Sequence, residues 1–208
     1  MPDLRFRVTG AAPVPYSAAP VLALHLAIEN ATPGEEIRSI ALECQIRIET
    51  ARRHYSEPEQ RRLTDLFGEP ERWGQTLHSM LWAHAPALVP PFRGRTVADL
   101  KVPCTLDLAV ATARYFNSLE QGCVPLTLLF SGSVFHEDED GALQVTPIPW
   151  SSEASYPLPA AAWKQMMDAY YPNTAWISVR RDLLERLDRH KTARGLSTWD
   201  QALESLLP

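Results

Sequence analysis

The chain is short of the features that most often announce a function. Its three cysteines, Cys44, Cys104 and Cys123, are odd in number, widely spaced and without a CxxC pair. They indicate neither a disulfide framework nor a cysteine zinc site, and read as reduced thiols. Nine glycines leave little backbone for building a cofactor site, and there is no phosphate-cradling glycine loop and no dinucleotide fingerprint. No window approaches the roughly 18 apolar residues of a membrane span. The opening MPDLRFRV has no apolar region of the signal-peptide kind. A cytoplasmic protein with no membrane partner is the expectation. A net charge of −5 argues against a surface built throughout for nucleic acid or anionic lipid, and leaves room for a local basic patch.

What the chain does have is alternation. Leu4, Phe6 and Val8 face one way and Arg5 and Arg7 the other; Leu22, Leu24, Leu26 and Ile28 repeat the pattern. Ile40, Leu42, Cys44, Ile46 and Ile48 share a third face, and a one-residue slip would invert every side chain, so the register is strongly specified. Further strands are expected from Gln75 to Val89, where a short helix also fits but Pro86 and the Pro90-Pro91 pair favour the strand, from Leu100 to Val110, and in VPLTLLFSGSVF, which pairs across the polar tip HEDEDG with ALQVTPIPW. Eighteen prolines cluster at junctions such as Ala12 to Pro20, Pro86 to Pro91 and Pro147 to Pro159, as punctuation between short strands.

Helical spacing appears in fewer places. PEQRRLTDLFG opens on Pro58, sets Leu63, Leu66 and Phe67 on one face and stops at Gly68. Ala109, Thr112, Ala113, Phe116 and Leu119 mark a second short helix. After Pro159, Trp163, Met166, Met167 and Tyr170 recur at helical spacing. The expected fold is mainly β with α: an antiparallel immunoglobulin-like β-sandwich over residues 1–152, with an inserted short helix, and a mostly helical C-terminal region over 153–208. The Cys-Trp-Cys core of true immunoglobulin domains is absent.

Catalytic signatures are incomplete wherever they start. His136-Glu137-Asp138-Glu139-Asp140 begins like the HExxH zinc helix, but Asp140 stands where the second imidazole is required and Gly141 marks a turn. The same run echoes a calcium loop without its full oxygen ladder, so a solvated hairpin tip is expected. Ser131-Gly132-Ser133 is not a nucleophile elbow; Gly132 reads as a bulge or a close backbone approach. His25, His78 and His84 read as surface or packing residues. No catalytic residue, metal ligand or cofactor is assigned. Trp73, Trp82 and Phe92 would mark a contact site if they form an exposed apolar patch, with burial in the sandwich as the competing expectation.

The tail AWISVRRDLLERLDRHKTARGLSTWDQALESLL carries an I-x-V strand, a D-L-L-x-x-L helix, Gly195 as its end and a helix capped by Ser197. These points resemble the ribbon-helix-helix family of bacterial repressors and antitoxins. That resemblance implies paired strands whose outward residues, here Trp176, Ser178 and Arg180, contact DNA or a partner. Against DNA, Trp176 offers one N–H where base reading wants a bidentate group. Asp200 also sets a negative charge in the first turn of the last helix, where a phosphate would sit, and the tail balances six basic residues with five acidic ones.

Over the whole chain, LHLAIENATPGEEIRSIALECQIRIE with VPLTLLFSGSVF, VTPIPW and RRDLLERLDRHKTARGLSTW resembles an uncharacterised family of actinobacterial-type proteins found near nickel-iron hydrogenase genes. The resemblance implies an accessory or assembly role, although no nickel or iron ligand set is visible in these residues. The reading is therefore a non-enzymatic protein whose sandwich binds another protein and whose tail packs on it or mediates a homodimer. The alternatives are a DNA-binding regulator acting through the tail and a hydrolase or metal enzyme without a recognisable motif.

Overall fold

The computed structural model describes residues 2–32, 34–104, 110–138, 140–174 and 179–207. They form two compact units, Met1–Pro172 and Asn173–Pro208. In the first, alternation builds β1 (Leu4–Pro13), β2 (Val21–Asn30), β3 (Glu36–Ile48), β4 (Met80–Val89), β5 (Phe92–Arg93), β6 (Arg95–Pro103), β7 (Cys123–Glu137), β8 (Leu143–Pro147) and β9 (Glu153–Pro159). Between and after them lie α1 (Glu57–Phe67), α2 (Trp73–Thr76), α3 (Val110–Ser118) and α4 (Ala160–Tyr170). The smaller sheet has the order β1, β2, β6; the larger runs β4, β3, β7, β8, with β5 added to β3 and β9 to β7. Each of these pairings is antiparallel. The chain is thus mainly β, with antiparallel sheets and several helices.

One face of each sheet is apolar, and the two faces share a core. Leu22, Leu24, Leu26 and Ile28 of β2 are fully buried, as are Ile40, Cys44, Ile46 and Ile48 of β3. Removing such side chains from water contributes roughly 1.5–3 kcal/mol each, so the register that buries all of them at once has no near competitor. Phe6 of β1 stacks on Phe130 of β7 with ring centroids 4.4 Å apart, joining the two sheets directly. At one end α1, α3 and α4 close the core with aromatic side chains, Phe116 stacking on Trp163 at 5.1 Å.

The helix α1 starts at Glu57, one residue before Pro58. Ser56 accepts the Glu59 N–H while the Glu59 carboxylate accepts the Ser56 N–H, a reciprocal cap, and Gly68 at φ 77° ends the helix.

Three expectations about elements are corrected. Gln75 to Val89 is not one strand, because α2 takes Trp73–Thr76 and β4 begins only at Met80. The strand expected from Leu100 to Val110 begins already at Arg95 and ends at Pro103; residues 105–109 lie outside the described residues, and Val110 opens α3. The stretch after Ser152 opens with a strand, β9, paired to β7 from Leu129↔Glu153 to Cys123↔Pro159. Pro157 and Pro159 disguise it; on an edge strand an absent N–H interrupts no second ladder. β9 and α4 lie within the first compact unit, Met1–Pro172.

The second unit holds α5 (Arg181–Ala193) and α6 (Trp199–Glu204). Gly195 at φ 64° lets the chain leave α5 with Leu196 N–H donating to the Lys191 carbonyl and Gly195 N–H to that of Thr192. The cap of α6 is Thr198 rather than Ser197: Thr198 Oγ1 accepts the Gln201 N–H and Gln201 Oε1 accepts that of Thr198.

Candidate functional site

Trp73, Trp82 and Phe92 are each 8% exposed, so they form no surface patch. Trp73 lies edge-on to Tyr55 at 5.3 Å and donates its indole N–H to the Gly68 carbonyl at 2.8 Å; Trp82 meets Phe116 at 5.3 Å; Phe92 pairs opposite Ile37. Large rings at helix-to-strand junctions fill the space between α1, α3 and the sheet, which is worth more than exposure. Trp176 and Ser178 lie outside the described residues. Arg180 stands at the N-cap of α5 and holds Asp182 through Nε and Nη2 at 3.1 and 3.0 Å.

The acidic run around Asp138 is a turn. Asp138 accepts the N–H groups of Asp140 and Ala142 and the Gln144 amide, which hold its carboxyl below the usual range, the Gln144 bond first. Among the described residues no group of three or more His, Cys, Asp or Glu is placed to hold a metal. Gly132 is a close approach, as its spacing suggested: a Cβ there would stand 2.0 Å from the Ala41 carbonyl oxygen.

Two polar constructions escaped the sequence reading. Arg53 and Glu59 pair at 2.8 Å in the protein interior, and Arg53 also donates to the carbonyls of Gln121 and Cys123. At the other end of the sheets, Asn30 donates to Glu35 at 3.1 Å, Glu35 Oε1 lies 3.2 Å from His136 Nδ1, and His136 Nε2 lies 2.9 Å from Thr146 Oγ1. The order carboxylate, imidazole, hydroxyl is that of an activated nucleophile. His136 is 6% exposed, however, and its Nδ1 lacks the alignment of a hydrogen bond. The chain joins β2 to β7 and β8, and its geometry serves to tie the sheets together.

The candidate site is the outer face of the larger sheet. In register across three strands stand Leu88, Ala41 and Ser133, then Pro147 of β8; Phe135 and Val145 face each other in the next outward row, with Leu143 beyond. Leu88 is 77% exposed, Leu143 62% and Val145 56%. Because Ala41, Gly132 and Ser133 are small, a depression of about 490 Å³ opens between Leu88, Pro86 and the middle of the sheet. The signal was present in the sequence as apolar residues on the wrong parity. Val134 is buried on β7 and yet Phe135 is apolar too, while on β8 the apolar Leu143 and Val145 stand exposed in alternation with Gln144 and Thr146.

Comparison with known proteins adds little chemistry. A family model described as a family of unknown function (DUF6084) matches residues 1–208. No curated protein matches the sequence. Among solved structures the chain is similar to a protein of Bordetella pertussis provisionally named ApaA, at 13% identity over 76% of this chain and 94% of that one, with a TM-score of 0.26. At that score the likeness bears on neither fold nor function.

Proposed function

The chain belongs to this family of unknown function, and from its own geometry we propose that it is a non-enzymatic, protein-binding accessory protein that docks its partner on the outer face of the larger sheet. The observation that carries the reading is the exposure of apolar side chains on this face, Leu88 beside the depression at Gly132 and Val145 and Leu143 on β8. Exposed apolar side chains gathered on one face are characteristic of protein contact sites. We read the two antiparallel sheets as an immunoglobulin-like sandwich, an architecture that presents such a face rigidly. An assembly role beside a larger enzyme of the hydrogenase type is the form of this function that the family resemblance implies, in the cytoplasm and with either a separate protein or a second copy as partner.

The test compares the wild-type chain with the double variant L88E/V145E. Both are purified from the native host under mild conditions and sized in solution. A partner or second copy held by the wild type and released by a folded L88E/V145E protein supports the reading. A wild-type protein that is monomeric and alone, or a variant that keeps the same company, overturns it.

A further inference from the structure

The opposite outer face, that of the smaller sheet, carries a different surface. The register sets Arg5, Glu29 and Arg95 in one row and Arg7, Ala27 and Val97 in the next. Ala27 is the smallest side chain in the middle of these rows, and over it lies a groove of about 690 Å³ walled by the arginines. All three arginines are exposed. Arg5 makes a long ion pair with Asp3 at 3.9 Å, and among the described residues the side chains of Arg7 and Arg95 make no hydrogen bond or ion pair. Glu29, between Arg5 and Arg95, pairs with neither, while Asp99 further along is held by His25 at 2.7 Å. Three guanidinium groups, two of them without a partner among the described residues, thus line one concavity in a chain of net charge −5.

We propose that this groove binds an extended acidic peptide segment. The guanidinium fork matches a carboxylate, which it takes by two parallel hydrogen bonds. Arg5 and Arg7 are two residues apart on one strand face, so they repeat at about 7 Å, the same spacing as alternate side chains of another extended chain. Arg95 lies two strands away, roughly 10 Å across the sheet, and reaches the far side of the same segment. Single-stranded nucleic acid is disfavoured, because its grooves need aromatic platforms and the ring of Phe6 is committed to Phe130 in the core. The acidic hairpin of a second copy is disfavoured as well: Glu137 is bound by Arg38 and Asp138 by its own turn.

The experiment is fluorescence anisotropy with a fluorescein-labelled peptide of alternating Glu and Ser. Its controls are a block isomer of the same composition and a thymidine oligonucleotide of equal charge. The full chain is compared with R7E/R95E, with the milder R7Q/R95Q, and with R186E in α5 as a charge control. The alternating peptide is expected to bind, to weaken at least about tenfold on R7E/R95E as two charge-assisted contacts are lost, and to be released at about 0.5 M salt. R7Q/R95Q falls between, R186E stays near wild type, and the block isomer binds more weakly than the alternating one. Equal binding by wild type and both double variants overturns the site. Equal binding of the two isomers overturns the strand-spaced recognition, and tighter binding of the oligonucleotide makes the face a nucleic-acid surface instead.

Discussion

Arg53 and Glu59 face each other at 2.8 Å with side chains only 7% and 5% exposed. Burial by itself would raise the Glu59 pKa; the N–H groups of Glu120 and Ser56 and the Arg53 charge outweigh it and hold the carboxyl below its ordinary range. A group whose folded pKa is depressed stabilises the fold above its unfolded value, here 4.5, and loses that contribution as pH falls through the folded value. Glu59→Gln leaves Arg53 buried without its counter-charge and is expected to cost about 3–5 kcal/mol near pH 7. The difference from wild type should shrink below pH 4.5 in urea unfolding curves. A difference of the same size at pH 7 and in acid would mean that the charge of Glu59 is not what matters.

Gly132 sits at φ 128°, where a Cβ meets the Ala41 carbonyl oxygen at 2.0 Å. Neither backbone has a flexible end to give way, so Gly132→Ala must shift β7 against β3. The strained backbone alone is worth on the order of 1–3 kcal/mol, and the clash adds to it. Gly74→Ala is the control: nothing lies within 4 Å of its Cβ position, and it stands in α2. There the change should be neutral or stabilising by a few tenths of a kcal/mol. Chemical denaturation of the two variants side by side separates a local need for glycine from a general sensitivity.

The strands of the core were legible because one physical demand, burial of one face, writes a period of two. Leu22 to Ile28 and Ile40 to Ile48 show it without interruption, and the structure buries those residues. β9 was not legible, since an edge strand tolerates Pro157 and Pro159 and a scan of the sequence reads them as breaks. The face at Leu88, Phe135 and Val145 was half legible. Leu88, Phe135 and Val145 stand on the outward parity of β4, β7 and β8, but only the register of β4, β3, β7 and β8 places them on one face. Arg53, Glu59, His136 and Glu35 were invisible as partners, because nothing local in sequence distinguishes a charged residue that will be paired in the interior from one that stays in water.

The three thiols should separate cleanly. Burial pushes Cys44 and Cys104 up to about 12, while Cys123 is exposed at the start of β7. At pH 8 a disulfide reagent is expected to titrate one thiol in the native protein and all three in denaturant, since the thiolate is the reacting species and needs access. Cys123→Ser should abolish the native reaction and leave stability unchanged within about 0.5 kcal/mol, as for other surface substitutions. Two fast thiols in the native state would show that the sheets open on the timescale of the reagent.

The row Asn30, Glu35, His136 and Thr146 poses the remaining chemical question, since a tie and a nucleophile share its order of residues. As a tie, it holds the end of β2 to the hairpin of β7 and β8, and Thr146 contributes by occupying the imidazole Nε2 at 2.9 Å. Thr146→Val keeps the shape and removes the hydroxyl, leaving a buried ring nitrogen unpaired, which costs about 1–3 kcal/mol. The loss should be local: amide exchange should accelerate along Leu143 to Pro147 before it does in β3, because β8 pairs with β7 alone. His136→Ala should accelerate the same amides and also those leading into Glu35. A nucleophile predicts the reverse, with ester hydrolysis by the wild-type protein that Thr146→Val abolishes at full stability. Exchange and turnover measured on the same two variants therefore decide between the readings, and the near-complete burial of His136 favours the tie.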